Sequence, residues 1–183
     1  MPREKKNLIY LTGFMGSGKS TIAPILANTL GYSFVDIDQE IEKVSQKKVN
    51  DIFFEDGEDY FRNIERSLLE RVSRQQGCVI SLGGGTIAID ENLRIVKSSG
   101  ILVYLKTDPD RIFQRLEHKD DRPLLKSKDG RRLSDDKLRQ RISQLLALRE
   151  PFYNQADVTV STDETKVGYT VDEIVRCLKP LIT

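Results

Sequence analysis

Short apolar runs alternate along the chain with longer stretches in which apolar residues return every three or four positions. The short runs are Leu8-Ile9-Tyr10-Leu11, Ser33-Phe34-Val35, Cys78-Val79-Ile80-Ser81-Leu82, Ile101-Leu102-Val103-Tyr104-Leu105 and Val158-Thr159-Val160. Their length and near-continuous apolar character predict strands covered on both faces. Between them, Ile22, Ile25, Leu26 and Leu30 predict a helix stopped at Gly31, and Phe61, Ile64, Leu68, Leu69 and Val72 predict a long helix with one apolar stripe. Another helix is expected from about Pro109. Leu138, Ile142 and Leu145 mark a further one, expected to end near Glu150-Pro151, and Val171, Ile174, Val175 and Leu178 mark the last. Strand–helix alternation of this kind predicts an α/β fold: a three-layer, doubly wound domain around a central parallel five-stranded sheet. Ligands of such sheets bind beyond the carboxyl ends of the strands. Gly13, Asp36, Asp38, Ser81 and the triplet Gly83-Gly84-Gly85 all fall there.

No repeat, low-complexity segment or linker divides the 183 residues, so a single domain over 1–183 is expected. One stretch breaks the pattern. Residues 119–132 are densely charged and without a sustained period, which predicts a mobile lid over about 118–132. A formal net charge of +1 gives no electrostatic reason to expect nucleic acid or an anionic membrane as partner. No apolar run is long enough to cross a bilayer. Cys78 and Cys177 lack a CxxC spacing and read as two buried thiols of a cytoplasmic protein, expected to be monomeric. His118, the sole histidine, has no partner motif and reads as a surface residue.

The strongest chemical signal is Gly13-Phe14-Met15-Gly16-Ser17-Gly18-Lys19-Ser20, a GxxxxGK[ST] phosphate loop between a predicted strand and a predicted helix, which makes the fold of the P-loop NTPase type. Its glycines let backbone N–H groups wrap phosphate oxygens, and the helix N-terminus adds its positive end. Lys19 is expected on the β- and γ-phosphates and the Ser20 hydroxyl on Mg²⁺. Gly13, Gly16, Ser17, Gly18 and Thr21 complete the expected ATP contacts. The motif establishes nucleotide binding and leaves the acceptor open.

Asp36 and Asp38, two apart at a strand end, are expected to leave it on the same side, one holding Mg²⁺ through water and the other accepting a proton. The alternative is that Asp38 merely caps the next helix. Three successive glycines at 83–85 suit a ligand lying against bare backbone, or a flexible connector. Arg149 continues the face of Leu138, Ile142 and Leu145, so it either snorkels or pairs with an anion. Arg62, flanked by Glu58 and Glu65 at helical spacing, reads by itself as a surface ion pair worth under about 1 kcal/mol. Arg122, before Pro123-Leu124-Leu125, could supply charge to a transition state from the lid or be one of many solvated charges.

GFMGSGKS, D-I-D at 36–38, F-R-N-I-E at 61–65, S-L-G-G-G at 81–85, R-P-L-L at 122–125 and L-R-E-P-F-Y at 148–153, in this order, resemble the shikimate kinase family over nearly the whole chain. The resemblance implies ATP-dependent phosphorylation of the 3-hydroxyl of shikimate, on the route to chorismate and the aromatic amino acids. It implies that Asp38 is the base, that Asp36 lies near Mg²⁺ through water, and that Ser81 occupies a related position behind it. Arg62 and Arg149 would grip the substrate carboxylate, while Gly83, Gly84 and Gly85 would contact ring hydroxyls through backbone. Arg122 would be the lid arginine and Arg115 would lie against adenine. The lid departs from the family pattern in its charge, with Arg131 and Arg132 following Arg122.

Overall fold

The computed structural model describes residues 6–117, 131–163 and 166–182. The apolar runs become β1 (Leu8–Thr12), β2 (Ser33–Asp36), β3 (Cys78–Ser81), β4 (Ile101–Lys106) and β5 (Val158–Ser161). They form one sheet in the order β2-β3-β1-β4-β5, and every pairing is parallel. Side chains of successive strand residues leave opposite faces. Leu8, Tyr10, Ile80, Leu102 and Tyr104 therefore belong to one core, and Ile9, Leu11, Val79, Val103 and Leu105 to the other. The helices supply the outer layers. α1 (Lys19–Leu30) and α8 (Val167–Leu178) cover the second face through Ile22, Leu26, Val171, Ile174 and Leu178. The first face is covered by α2 (Ile37–Ser45), α4 (Glu58–Val72), α5 (Asp90–Ser99), α6 (Pro109–Leu116) and α7 (Asp135–Tyr153). Each core side chain withdrawn from water on either face contributes about 1.5–3 kcal/mol. The expected three-layer arrangement is present.

Local departures from expectation have identifiable causes. No loop separates β2 from α2. Asp36 ends the strand and itself caps the helix, its Oδ1 accepting from the Gln39 N–H at 3.1 Å. Asp38 thus lies in the first turn of α2, not on the strand, and the period-two argument for a shared side does not apply to it. The capping alternative holds, but for Asp36. α7 does not end at Glu150. It runs through Pro151 to Tyr153, because Tyr153 is fully buried and Asn154 still donates to Glu150 at 2.9 Å. In that helix the deep apolar residues are Leu138, Ile142 and Leu146, with Leu145 only partly buried.

Several short elements, α2 among them, lay outside the periodicity reading. α5 is another. So is the short α3 (Val49–Asp51), followed by a wider turn over Ile52–Asp56 in which Gly57 N–H donates to the Ile52 carbonyl at 3.0 Å. Cys78 is buried and Cys177 partly so, and both are free thiols. His118, Arg122 and the lid segment 118–130 lie outside the described residues.

Candidate active site

The phosphate loop joins β1 to α1 at the centre of the sheet. Gly13 has φ 151°, and a Cβ there would meet both the Leu105 carbonyl oxygen and Ser17 Oγ at 2.7 Å. Gly18 caps α1 in the left-handed region at φ 96°. Both positions require glycine on conformational grounds. The Lys19 ammonium folds back over the loop and donates to the carbonyls of Gly13 at 2.6 Å and Phe14 at 3.0 Å. Its three donors on a flexible stem can transfer from carbonyls to phosphate oxygens. Arg115 spans the loop's outer edge, donating at 2.8 Å to the Gly16 carbonyl and at 2.8 Å to the Thr162 carbonyl. Its guanidinium plane is thereby fixed between the loop and the segment after β5.

Gly16, Gly18, Lys19, Arg115 and Thr162 line a cleft of about 510 Å³ that also includes Ser20, Thr21, Asp36, Asp38, Ser81 and Thr170. Ser20 and Asp36 together offer hard oxygen donors of the kind Mg²⁺ takes beside nucleotide phosphates. Asp36 has one oxygen committed to its cap, which leaves the other for a bridging water. Among the described residues no group of three or more His, Cys, Asp or Glu side chains could hold a metal ion.

A second cavity of about 230 Å³ opens beside the first. One side is apolar, formed by Val49, Phe53 and Phe61, with the two phenyl rings 4.6 Å apart. The other is polar, formed by Asp38, Arg62, Glu65, Arg149 and the three glycines. A Cβ on Gly85 would lie 3.0 Å from Arg62 Nη2 and 3.4 Å from Arg149 Nη2, so both guanidinium groups bear on the glycine wall. A Cβ on Gly83 would lie 3.1 Å from Asp38 Oδ1. The two cavities share Met15, Asp38, Gly83 and Gly84. Asp38 stands where they meet.

Arg62 is more than part of a surface pair. Its Nη1 donates to Glu65 Oε2 at 2.7 Å, and the Glu65 side chain is only 1% exposed. Glu65 Oε1 accepts from the Thr86 hydroxyl at 2.6 Å. Glu58 pairs with the outer side of the same guanidinium at 3.2 Å. Burial works to lower the Arg62 pKa, but the charges and hydrogen bonds of Glu65 and Glu58 outweigh it, and the net direction is upward. Arg149 lies over the Phe14 ring, 5.5 Å from its centroid. Because α7 continues past it, Arg149 is held by the helix on both sides. Tyr153, one turn on, donates its hydroxyl to the Gly84 carbonyl and stacks on Tyr104 at 4.8 Å. Burial pushes the Tyr153 phenol well above the usual tyrosine range.

The family model for shikimate kinase matches residues 15–179. The chain belongs to the shikimate kinase family. A shikimate kinase of Chlorobaculum tepidum is 50% identical over 170 residues, covering 93% of this chain and 89% of the relative. A solved shikimate kinase from Acinetobacter baumannii, in complex with shikimate, superposes with a TM-score of 0.86 at 32% identity, covering 95% of this chain and 93% of that one. A gluconokinase from Sinorhizobium meliloti 1021 has a TM-score of 0.59 at 19% identity, which is a likeness of fold alone.

In this family member the sequence-predicted residues fall into two groups within one site. Gly16, Ser17, Gly18, Lys19, Ser20, Thr21, Asp36 and Arg115 surround the larger cleft, and Arg62, Gly85 and Arg149 the smaller, with Asp38, Gly83 and Gly84 common to both; Gly13 lines neither and joins the first group through its carbonyl, which accepts from Lys19. Ser81, nearly buried, pairs in register with Asp36 and lines the nucleotide side. Glu65, Thr86, Phe53 and Tyr153 were not singled out from sequence. The spacing of Glu65 to Arg62 was visible, but its burial depends on Thr86, in a different part of the chain.

Proposed function

We propose that the chain transfers the γ-phosphoryl group of ATP to the 3-hydroxyl of shikimate, giving ADP and shikimate 3-phosphate in aromatic amino acid biosynthesis. The observation that carries this reading is the shared wall at Asp38. A phosphate-loop cleft and a smaller pocket with two arginines meet at one carboxylate. A carboxylated polyol suits that pocket, since charge-assisted bonds from Arg62 and Arg149 match a carboxylate and the glycine backbone admits hydroxyls closely.

In the proposed mechanism Lys19 leaves the Gly13 and Phe14 carbonyls for the β- and γ-phosphates. The acceptor's hydroxyl oxygen attacks the γ-phosphorus as the bond to the β,γ-bridging oxygen breaks, ADP leaves, and the hydroxyl proton passes to Asp38. Ser20, and Asp36 through water, would hold Mg²⁺, which when bound supplies charge neutralisation at the β- and γ-oxygens. Arg115 would lie against adenine with its plane already fixed. Arg122, outside the described residues, is assigned with the lid at 118–132 to closing over the phosphates and excluding water. The reading includes a single domain over 1–183 acting as a monomer in the cytoplasm, with no nucleic acid or membrane partner. Among the described residues no helix is long and apolar enough to cross a membrane.

An ADP-release assay with Mg·ATP tests the acceptor. Shikimate stimulates release, whereas gluconate and AMP do not. Stimulation by AMP or gluconate, and not by shikimate, overturns the reading.

A further inference from the structure

A run of three glycines has no side chains with which to fix its own conformation, so ordering it costs more backbone entropy than any other tripeptide. In this site all three carbonyls of the run are nonetheless held. The Gly83 carbonyl accepts from Thr86 N–H at 3.2 Å and the Gly85 carbonyl from Ala88 N–H at 3.1 Å, both within the same turn. The middle one, on Gly84, is held from a distant element by the Tyr153 hydroxyl at 2.5 Å.

Tyr153 is placed for this by three features. Its side chain is fully buried, its ring stacks on Tyr104 at 27° between planes, and it stands one helical turn beyond Arg149. The Arg149 charge acts on the Tyr153 phenol against the effect of burial. A Cβ on Gly84 would lie 3.2 Å from Arg149 Nη1 and 3.4 Å from the Gly13 carbonyl oxygen, so the peptide being held is wedged between the phosphate loop and the arginine. Because the peptide unit is planar and trans, anchoring the Gly84 carbonyl also fixes the direction of the Gly85 N–H on the opposite side.

A buried tyrosine needs some partner for its hydroxyl. Tyr10 satisfies that need with Ser99 Oγ at 2.7 Å, and it lines neither cavity of the site. Tyr153 instead spends its hydroxyl on the Gly84 carbonyl, in the acceptor wall.

We propose that Tyr153 is a positioning residue for the acceptor: its hydroxyl locks the Gly84 peptide, against which the Arg149 guanidinium is packed, into one arrangement before the acceptor's carboxylate arrives. The proposal rests on the reading of the smaller cavity as the acceptor pocket. Tyr153→Phe keeps the stacked ring and removes only the hydroxyl. Its acceptor KM rises about tenfold, the scale of one lost hydrogen bond to a charged or buried group, while the ATP KM stays within about twofold. Tyr10→Phe is the control, losing a buried tyrosine hydrogen bond elsewhere and leaving both KM values unchanged. Tyr104→Leu, which keeps the Tyr153 hydroxyl but removes the ring that aims it, gives a smaller rise in acceptor KM and serves if Tyr153→Phe does not fold. Equal changes in both KM values, or an acceptor KM no different from that of Tyr10→Phe, overturn the proposal. If the unaltered enzyme does not turn over shikimate, the acceptor reading fails first and takes the proposal with it. Turnover of shikimate with no split between the KM values overturns the role of Tyr153 alone.

Discussion

Gly85→Ala separates binding from stability more sharply than any arginine deletion in this site. The backbone at Gly85 has φ −106°, which alanine adopts without strain. An added methyl would therefore stabilise the fold by about 0.4–1 kcal/mol through the unfolded chain. The same methyl would sit 3.0 Å from Arg62 Nη2 and 3.4 Å from Arg149 Nη2, short of the roughly 3.5–4.0 Å at which such atoms rest. Both atoms are tips of flexible side chains, so they retreat by about 0.5–1 Å and the fold survives. A charge-assisted bond to a carboxylate tolerates only about 2.7–2.9 Å, and losing one costs about 1.5–3 kcal/mol. Acceptor KM should therefore rise about ten- to a hundredfold. The melting temperature should move by no more than about 2–4 °C, the effect of 1 kcal/mol in a domain of this size. ATP KM, measured in the same steady-state assay, should not change. An unaltered acceptor KM in a folded variant would falsify the claim that the two guanidinium groups bind through the space in front of Gly85.

Three further outcomes follow from the same geometry. Asp38→Asn lowers kcat by about 10²–10⁴, the range of a lost general base, with ATP binding retained; turnover near the unaltered rate removes Asp38 from proton transfer. Glu65→Gln takes the counter-charge from beneath Arg62 and costs about 1–3 kcal/mol, seen as a lower urea midpoint together with a raised acceptor KM; no change in either would make the pair inert. Burial, only partly offset by the Ser99 bond, pushes the Tyr10 phenol up to about 12. The folded chain then holds a proton that the unfolded chain releases near pH 10, so stability present below about pH 10 is lost as pH rises toward 12, by about 1.4 kcal/mol per unit. Tyr10→Phe should flatten that slope in urea titrations between pH 9 and 12, and an identical slope would count against the burial account.

The phosphate loop was legible because its requirements are local: glycines at positive φ, a strand before and a helix after, all within one short segment. The strands were legible because burial on both faces leaves an apolar run. What failed was the junction between periods. Asp36-Ile37-Asp38 was read with strand alternation throughout, yet the helix begins at Ile37, and the two carboxylates, two residues apart, take different structural positions. Pro151 was read as a stop, but a proline near a helix end leaves the last turn intact when a buried tyrosine anchors it. Arg62 was visible and its environment was not. A helix spacing of three predicts that Glu65 is near; it does not predict that Thr86 and the glycine wall seal Glu65 from water. The link from Tyr153 to Gly84 joins residues 69 positions apart and left no mark in any local pattern.

Arg115 is bonded to carbonyls 99 positions before it and 47 after it. The larger cleft is therefore enclosed by segments far apart in sequence that the sheet brings together. During synthesis, Thr162 and Thr170 are added long after the loop they face. On the proposed reading, ATP latches an arrangement that these distant segments make together. As a latch it is effective, since a ligand at a hundred times its Kd adds about 2.7 kcal/mol to whatever it alone recognises. Saturating nucleotide should thus protect the segment around Thr162 as strongly as the loop itself, although the two are as far apart in sequence as almost any pair in the fold.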